Sequence, residues 1–438
     1  MFVAGQLNGF WVTAGGVTVP AATVDWDFAT TQSLVDASTA YTLSHTRAAV
    51  GATYFDSSGD LATAASGVAR FGYHPVSLTS LGLSVEANVN WEENYNEQVT
   101  NAANWSSSGI TASLNADTFI DGTTVADKII PTTANSTHWI DGSGKNAAGA
   151  TDHANHGIFA KAVEKTACMM ECTSGTNVFK MWVDLSDGSI GDTSGSATSY
   201  GVEPLQDNWY FIWAHTVGVG VVGRSTKTYV SNGTTSGDES YAGNASDGIL
   251  LCGAGLHVAP RRAFGHYRGP TTSGDIDQLD DDVDMNASGW FNATEGTVLV
   301  EFFQFDWQTQ WNFYLASLVN SGAPTTDYIS VSLAAHNSKF IGQIKDGGST
   351  ECQIEPAHGG VGVGGYFKIA FAYKANDCQM ALDGTASAVD SSVVLPSGID
   401  TLKLGRAWND LQRTGGYFQR VRYWDTRLTQ AQLESITT

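Results

Sequence analysis

Residues 41–86, YTLSHTRAAVGATYFDSSGDLATAASGVARFGYHPVSLTSLGLSVE, are a string of short β-prone runs separated by tight turns. Thr53-Tyr54-Phe55 reads as a strand end and Asp56-Ser57-Ser58-Gly59-Asp60 as a turn. Leu61 to Ala65 leads back out of the turn, which makes a hairpin. His74-Pro75 forces an extended or turn dipeptide, because the proline ring crowds the residue before it. Beyond it, Leu81, Leu83 and Val85 alternate as one face of a further strand.

The same grammar runs through the whole chain. Glycine is abundant (48 of 438 residues) and only 15% of residues are charged. Ser, Thr and Asn fill the gaps between apolar runs, as expected of an all-β protein with many turns. The length calls for two or three domains. No run of 18 apolar residues is present, so no membrane insertion is expected. MFVAGQLNGFW lacks a basic n-region and a long apolar h-region, so a cytoplasmic site of synthesis and folding is expected. Forty-four acidic against 22 basic residues give a net charge of −22. That sign repels phosphate backbones, so no direct nucleic-acid partner is expected, and it favours solubility. The five cysteines, at 168, 172, 252, 352 and 378, are expected to be free thiols with packing roles. Cys168 and Cys172 would share one side of a strand, too far apart to bridge.

Along the chain, residues 1–23 read as an extended arm whose natural anchors, if it docks on a partner, are Phe10 and Trp11. Residues 24–98 form a small N-terminal β region. Residues 99–258 carry repeated strand signals, the clearest being Phe179-x-Met181-x-Val183-x-Leu185, and read as a sandwich or jelly roll. Residues 259–284 hold the dense basic run Arg261 to Arg268 and then the acidic DIDQLDDDVD, and read as a solvated linker. Residues 285–438 are again β-rich and close on a strongly alternating strand, Tyr417 to Trp424. A short helix capped by Thr429 follows. Val202-Glu203-Pro204 and Ile354-Glu355-Pro356, each ahead of an aromatic strand, suggest two sandwiches of related design. The fold expected is all-β, with tandem jelly-roll β-sandwiches behind an extended arm and a small β region.

The order hydroxyl-Arg-Ala, Ala-Thr-Tyr-Phe-Asp, Asp/Gly turn, Ala-Arg-Phe, Pro-Val, Gly-Leu-x-x-Glu in residues 41–86 resembles a tract of bacteriophage and prophage virion proteins. Residues 285–438 resemble a concanavalin-like or laminin-G-like jelly roll through GTVLVEFF, FIGQIKDGG, YFKIAFAYKANDCQMALDG, LKLGR and GGYFQRVRYWDTRLTQAQL. Residues 100–258 resemble a carbohydrate-binding-module-like sandwich through DGTTVADKI, NVFKMWVDLSDGSI, VEPLQDNWYFIWA and YAGNASDGILLCGAGLHVA. The resemblance implies a head or tail fibre or spike on the virion surface. Its partners would be other virion structural proteins and host surface polysaccharide, and the protein would be a homo-oligomer, with a trimer favoured. It also leaves room for structural Ca²⁺. The competing readings are a decoration protein that stabilises a capsid without binding glycan, and a polysaccharide depolymerase.

No catalytic set emerges. G-x-S-x-G is absent, and nothing singles out a pair such as Glu92-Glu93 from the other carboxylates. An enzyme is therefore not expected. Two G-x-G-x-x-G strings, at Gly218-Gly220-Gly223 and Gly360-Gly362-Gly365, lie between β-prone runs and lack the helix that a dinucleotide site needs. His153-x-x-His156 sits in TDHANHG and reads as exposed loop histidines; no metal site is assigned. Asp275, Asp277, Asp280, Asp281, Asp282 and Asp284 lack the spacing of a Ca²⁺ loop. The aromatics carry the binding signal, because sugar rings stack on flat aromatic faces. Trp182, Trp209, Trp213 and Trp424 fall within strand patterns and belong to the core. Trp290, Trp307, Trp311 and Trp408 fall near predicted turns and are the ligand candidates, with Asn409 and Asp410 beside Trp408 to hold sugar hydroxyls.

Overall fold

A computed structural model describes residues 12–14, 17–47, 52–86, 89–91, 105–122, 125–142, 153–217, 223–257, 276–278, 281–304, 312–334, 339–356, 365–410 and 414–438. These build two antiparallel β-sandwiches, and the described helices are few and short. The C-terminal sandwich has a front sheet in the order Ser349–Ile354, Lys339–Asp346, Tyr328–Ala334, Asn312–Val319, Thr401–Leu404, Asp282–Asn286, Ser44–Thr46. Its back sheet runs Thr385–Ala386, Gln379–Leu382, Tyr366–Lys374, Glu295–Gln304, Gly416–Trp424, Ser80–Val85, Arg70–Tyr73. Val24–Asp27 also pairs with Gly416–Trp424. The inward residues of the two sheets, among them Val300, Phe302, Ile369, Phe371, Phe418, Ile329, Val331, Ile344 and Leu404, form one continuous core. Each such side chain contributes about 1.5–3 kcal/mol by leaving water.

Four strands from residues 24–86 therefore belong to the two sheets of this sandwich, while the hairpin of Ala52–Phe55 and Leu61–Ala64 is a two-stranded sheet of its own, so the segment makes no separate collar. The other sandwich sits within it as an insertion. Its six-stranded sheet runs Trp105–Ser108, Trp139–Gly142, Arg224–Ser231, Ala167–Ser174, Asn177–Asp184, Ile190–Ser194. The facing sheet runs Ile110–Thr118, Val125–Pro131, Ile249–His257, His153–Ala162, Trp209–Val217, Ser199–Pro204. The chain enters through Val89–Trp91 and leaves through Ile276–Gln278, which pair with each other. At this neck the Asp281 amide donates to the Glu86 carbonyl (2.9 Å). The serial order expected from sequence, a collar, a sandwich, a linker and a sandwich, becomes one sandwich interrupted by another. Sequence spacing could not reveal this, because strands 200 residues apart read the same locally whichever sheet they join.

The acidic run is not a solvated linker where it is described. Asp281 is fully buried, and its carboxylate accepts from Arg47 Nη1 (2.9 Å), Arg70 Nη2 (2.5 Å) and the Glu86 amide (3.1 Å). His45 Nε2 lies 3.1 Å from the same carboxylate, and Arg70 also pairs with Glu86 at 2.6 Å. Buried charges are tolerated only when paired and hydrogen-bonded, and this hub meets both conditions. Arg47, Arg70 and Glu86 all come from the 41–86 tract. The hairpin in that tract forms as read, with Phe55 opposite Leu61, the Asp56 carboxylate accepting from the Ser58 and Asp60 amides, and Gly59 at φ +82°. Its apolar residues Phe55 and Leu61 pack on Phe119, Ile120 and Trp209 of the inserted sandwich. One tract thus holds both sandwiches.

Other expectations meet mixed outcomes. Cys168 and Cys172 share one buried face, and all five cysteines are buried outside any disulfide among the described residues. Cys352, on the front-sheet strand Ser349–Ile354, and Cys378, bridged to Asp390 just before the strand Gln379–Leu382, belong to one core. His153–Ala162 is a strand and not a loop. In it His156 is buried, with Nδ1 2.9 Å from the Thr226 hydroxyl and Nε2 3.1 Å from that of Thr216, partners that only the fold could supply. The Val-Glu-Pro and Ile-Glu-Pro tracts are not equivalent. Ser199–Pro204 pairs with the strand that follows it, whereas Ser349–Ile354 and Tyr366–Lys374 lie in opposite sheets. The glycine strings lie largely outside the described residues. The closing helix Gln430–Thr437 has the Thr429 cap in a full capping box with Gln432.

Candidate functional site

The outer face of the front sheet carries the site. Tyr328–Ala334 reads YISVSLA, so Ile329, Val331 and Leu333 enter the core while Tyr328, Ser330 and Ser332 point outward. Strand register then lines up one polar row across the sheet. Gln353 stands opposite Gln343, Gln343 opposite Ser330, Ser330 opposite Ser317, Ser317 opposite Lys403, Lys403 opposite Asp284, and Asp284 opposite Ser44. An outward face made of apolar residues would only need covering. This one is a row of hydroxyl, amide and charged groups spaced by the strand separation of about 4.8 Å.

Residues 405–410 fold back as a roof over the row. Gly405 starts the reversal at φ +71°, where a Cβ would stand 2.4 Å from Val85 Cγ1. Arg406 pairs with Asp282 (2.9 Å), Asp410 (3.1 Å) and Asp284, and its carbonyl accepts from the Ser317 hydroxyl (3.0 Å). Lys403 Nζ donates to the Trp408 carbonyl (3.2 Å) and to Asp410 Oδ1 (2.7 Å). These bonds hold Asp410 at φ +62°. They also set the Trp408 ring on the Tyr328 ring, with centroids 5.4 Å apart and planes at 11°. The Tyr328 hydroxyl donates to Gln343 Oε1 (2.8 Å), and burial pushes its pKa up, so it stays a neutral donor. Ser330 Oγ is buried without a hydrogen-bond partner among the described residues. Trp408 Nε1 is also buried, with the Tyr328 hydroxyl as its polar neighbour. An unsatisfied polar atom on the strand face beside a buried tyrosine and a half-buried indole is where a hydroxyl-bearing ligand or water gains most.

Among the predicted binding residues, Trp408, Asn409 and Asp410 come together here. Trp408 and Asn409 are half-buried and Asp410 is exposed. Trp290 is a correction: it is buried against Trp26 (6.1 Å) and Tyr423 (4.9 Å), with its indole donating to the Asn286 carbonyl. A tryptophan after a strand end looks exposed in sequence, but this one is packed in the core. Trp307 and Trp311, and the arm anchors Phe10 and Trp11, lie outside the described residues. Sequence reasoning missed Tyr328, Ser330, Ser317 and Gln343. The Tyr-x-Ser-x-Ser alternation opposite Ile-x-Val-x-Leu was the available signal, since a two-sided strand with a hydroxyl face needs something polar to cover it.

Neither a protein-family model nor a curated protein matches the chain. Solved structures similar to parts of it include the Ruminococcus gnavus IT-sialidase CBM40 bound to α2,3-sialyllactose. That match has 12% identity, covers 34% of this chain and 84% of that one, and has a TM-score of 0.29. Mouse laminin α1 domains LG4-5 match at 10% identity over 63% of this chain and 83% of theirs, with a TM-score of 0.21. Trypanosoma rangeli sialidase in complex with DANA matches at 9% identity over 72% and 66%, with a TM-score of 0.27. At such scores the likeness carries no weight of its own, and the all-β sandwich assignment rests on the strand pairing above.

Proposed function

We propose that this protein is a non-enzymatic glycan-binding protein displayed on the surface of a bacteriophage or phage-derived particle. The roofed front face carries the glycan part of this reading: a half-buried Trp408 ring stacked on buried Tyr328 and edged by Asn409, Asp410 and Lys403, with Ser330 Oγ unpartnered among the described residues on the same strand face. An aromatic plane takes the apolar face of a pyranose, and flanking amide, carboxylate and ammonium groups take its hydroxyls. The particle part is supported by the resemblance of residues 41–86 to virion tracts. It assigns the N-terminal arm to the particle and the protein to a symmetric oligomer, in which weak sites gain avidity.

The test is co-sedimentation of the purified protein with host cells, with and without soluble host polysaccharide as competitor. Competed binding that W408A abolishes is the expected result. A folded oligomer that does not bind overturns the glycan reading in favour of a decoration protein. Release of reducing ends from the polysaccharide overturns the non-enzymatic part.

A further inference from the structure

The back sheet of the same sandwich carries a cavity of about 570 Å³ that the glycan reading does not use. It opens between the segment Val19–Ala22 and the closing helix. Its floor is the outward row Lys368, Glu301 and Arg420, with Arg422 and Asp25 alongside. The two arginines are not equally satisfied. Arg420 holds Asp25 with two bonds, Nε to Oδ1 at 2.7 Å and Nη2 to Oδ2 at 2.5 Å. Arg422 reaches Glu301 only at 3.4 Å, and its Nε lies 3.6 Å from Asp25, beyond hydrogen-bond range. That Nε is buried without a hydrogen-bond partner among the described residues. Glu301 is also shared, since it accepts from the Tyr366 hydroxyl at 2.7 Å. Burial and the adjacent Arg420 push the Arg422 pKa down, against the opposing pull of Asp25, Glu301 and Asp27.

Lys368, Arg420 and Arg422 outnumber Asp25 and Glu301 in the cavity lining, so an anion is the complementary ligand. A planar guanidinium matches a carboxylate best, by two parallel N–H···O bonds. The volume falls within the range of small-ligand sites, about 300–1,000 Å³. Ala21, Ala22 and Ile436 offer an apolar wall. We propose that this cavity binds a carboxylate-bearing ligand of roughly sugar size, with its carboxylate on Arg422 and its body against that wall.

The experiment is calorimetric titration of the full chain at low salt with D-glucuronate, D-glucose and inorganic phosphate. Glucuronate is expected to bind and glucose not to. R422Q is expected to weaken glucuronate at least tenfold. E301Q, which removes the competing carboxylate, is expected to tighten it severalfold, a direction that misfolding cannot mimic. All titrations are run on W408A, in which the front-face sugar site is disabled, so that whatever binds is read at this cavity. No glucuronate binding, equal binding of glucose, equal binding of phosphate, or an unaffected R422Q with native unfolding behaviour would each overturn the proposal.

Discussion

Ser330 and Asp281 are both buried polar residues of one sandwich, and their different partners predict opposite mutational behaviour. Ser330 Oγ is unpartnered among the described residues, and an unmade buried hydrogen bond costs about 1–3 kcal/mol. S330A should therefore leave stability unchanged or raise it by up to about 1 kcal/mol in urea unfolding, while weakening glycan binding. A loss of stability would mean that the hydroxyl already has a partner. Asp281 is the opposite case, since removing its charge strands two buried guanidinium groups. D281N should cost about 3–5 kcal/mol. Its pH signature follows from sign. Arg70 and its neighbours hold the Asp281 carboxyl well below the usual carboxylate range, against the opposing effect of burial. The stability it supplies is therefore complete above the unfolded value of about 3.9 and is lost as pH falls towards the folded one. Unfolding midpoints of wild type and D281N should converge as pH drops from 5 to 2; a constant gap would remove Asp281 as the origin.

Elements were legible where periodicity and turn chemistry acted locally. The 52–64 hairpin, the alternating strand ending at Trp424 and the Thr429-capped helix all form, because turn residues, side-chain alternation and capping act over a few residues. Loss of the capping box in T429A should cost about 1 kcal/mol, read as a lower unfolding midpoint. Only the first part of the strand His153–Ala162 was not legible, since TDHANHG looks polar and turn-like, whereas Gly157–Ala162 reads as a strand. It pairs on both sides, with Trp209–Val217 and Ile249–His257, and those neighbours supply the hydrogen bonds and hydroxyls that make a buried histidine acceptable. The hairpin's role was equally hidden. Its turn is local, but the surface that Phe55 meets lies on Phe119 and Trp209. F55A should cost about 3–5 kcal/mol in the whole protein.

At the scale of the molecule, the insertion makes a sharper prediction. Glu86 and Asp281 are hydrogen-bonded neighbours at the neck, so the chain can be closed there. Replacing residues 89–278 by a short Gly-Ser linker, with Phe55 and Leu61 made polar, should leave a sandwich that unfolds cooperatively and keeps the Trp408 site. A non-cooperative product would show that the two sandwiches fold as one unit.

Composition, turn spacing and alternation determined by themselves that this chain is β throughout, that it forms sandwiches, and that Trp408-Asn409-Asp410 sits at a surface turn. Those are consequences of local sterics and of the two-residue period of a strand. Only the tertiary structure decided that residues 24–86 complete the C-terminal sandwich, that Trp290 is core, that an acidic stretch holds a buried ionic hub, and that Ser317, Ser330, Gln343 and Lys403 share one row. Each of these depends on which distant strands pair and in what register. Pairing is set by the free energy of burying whole faces together, which no local window of sequence contains.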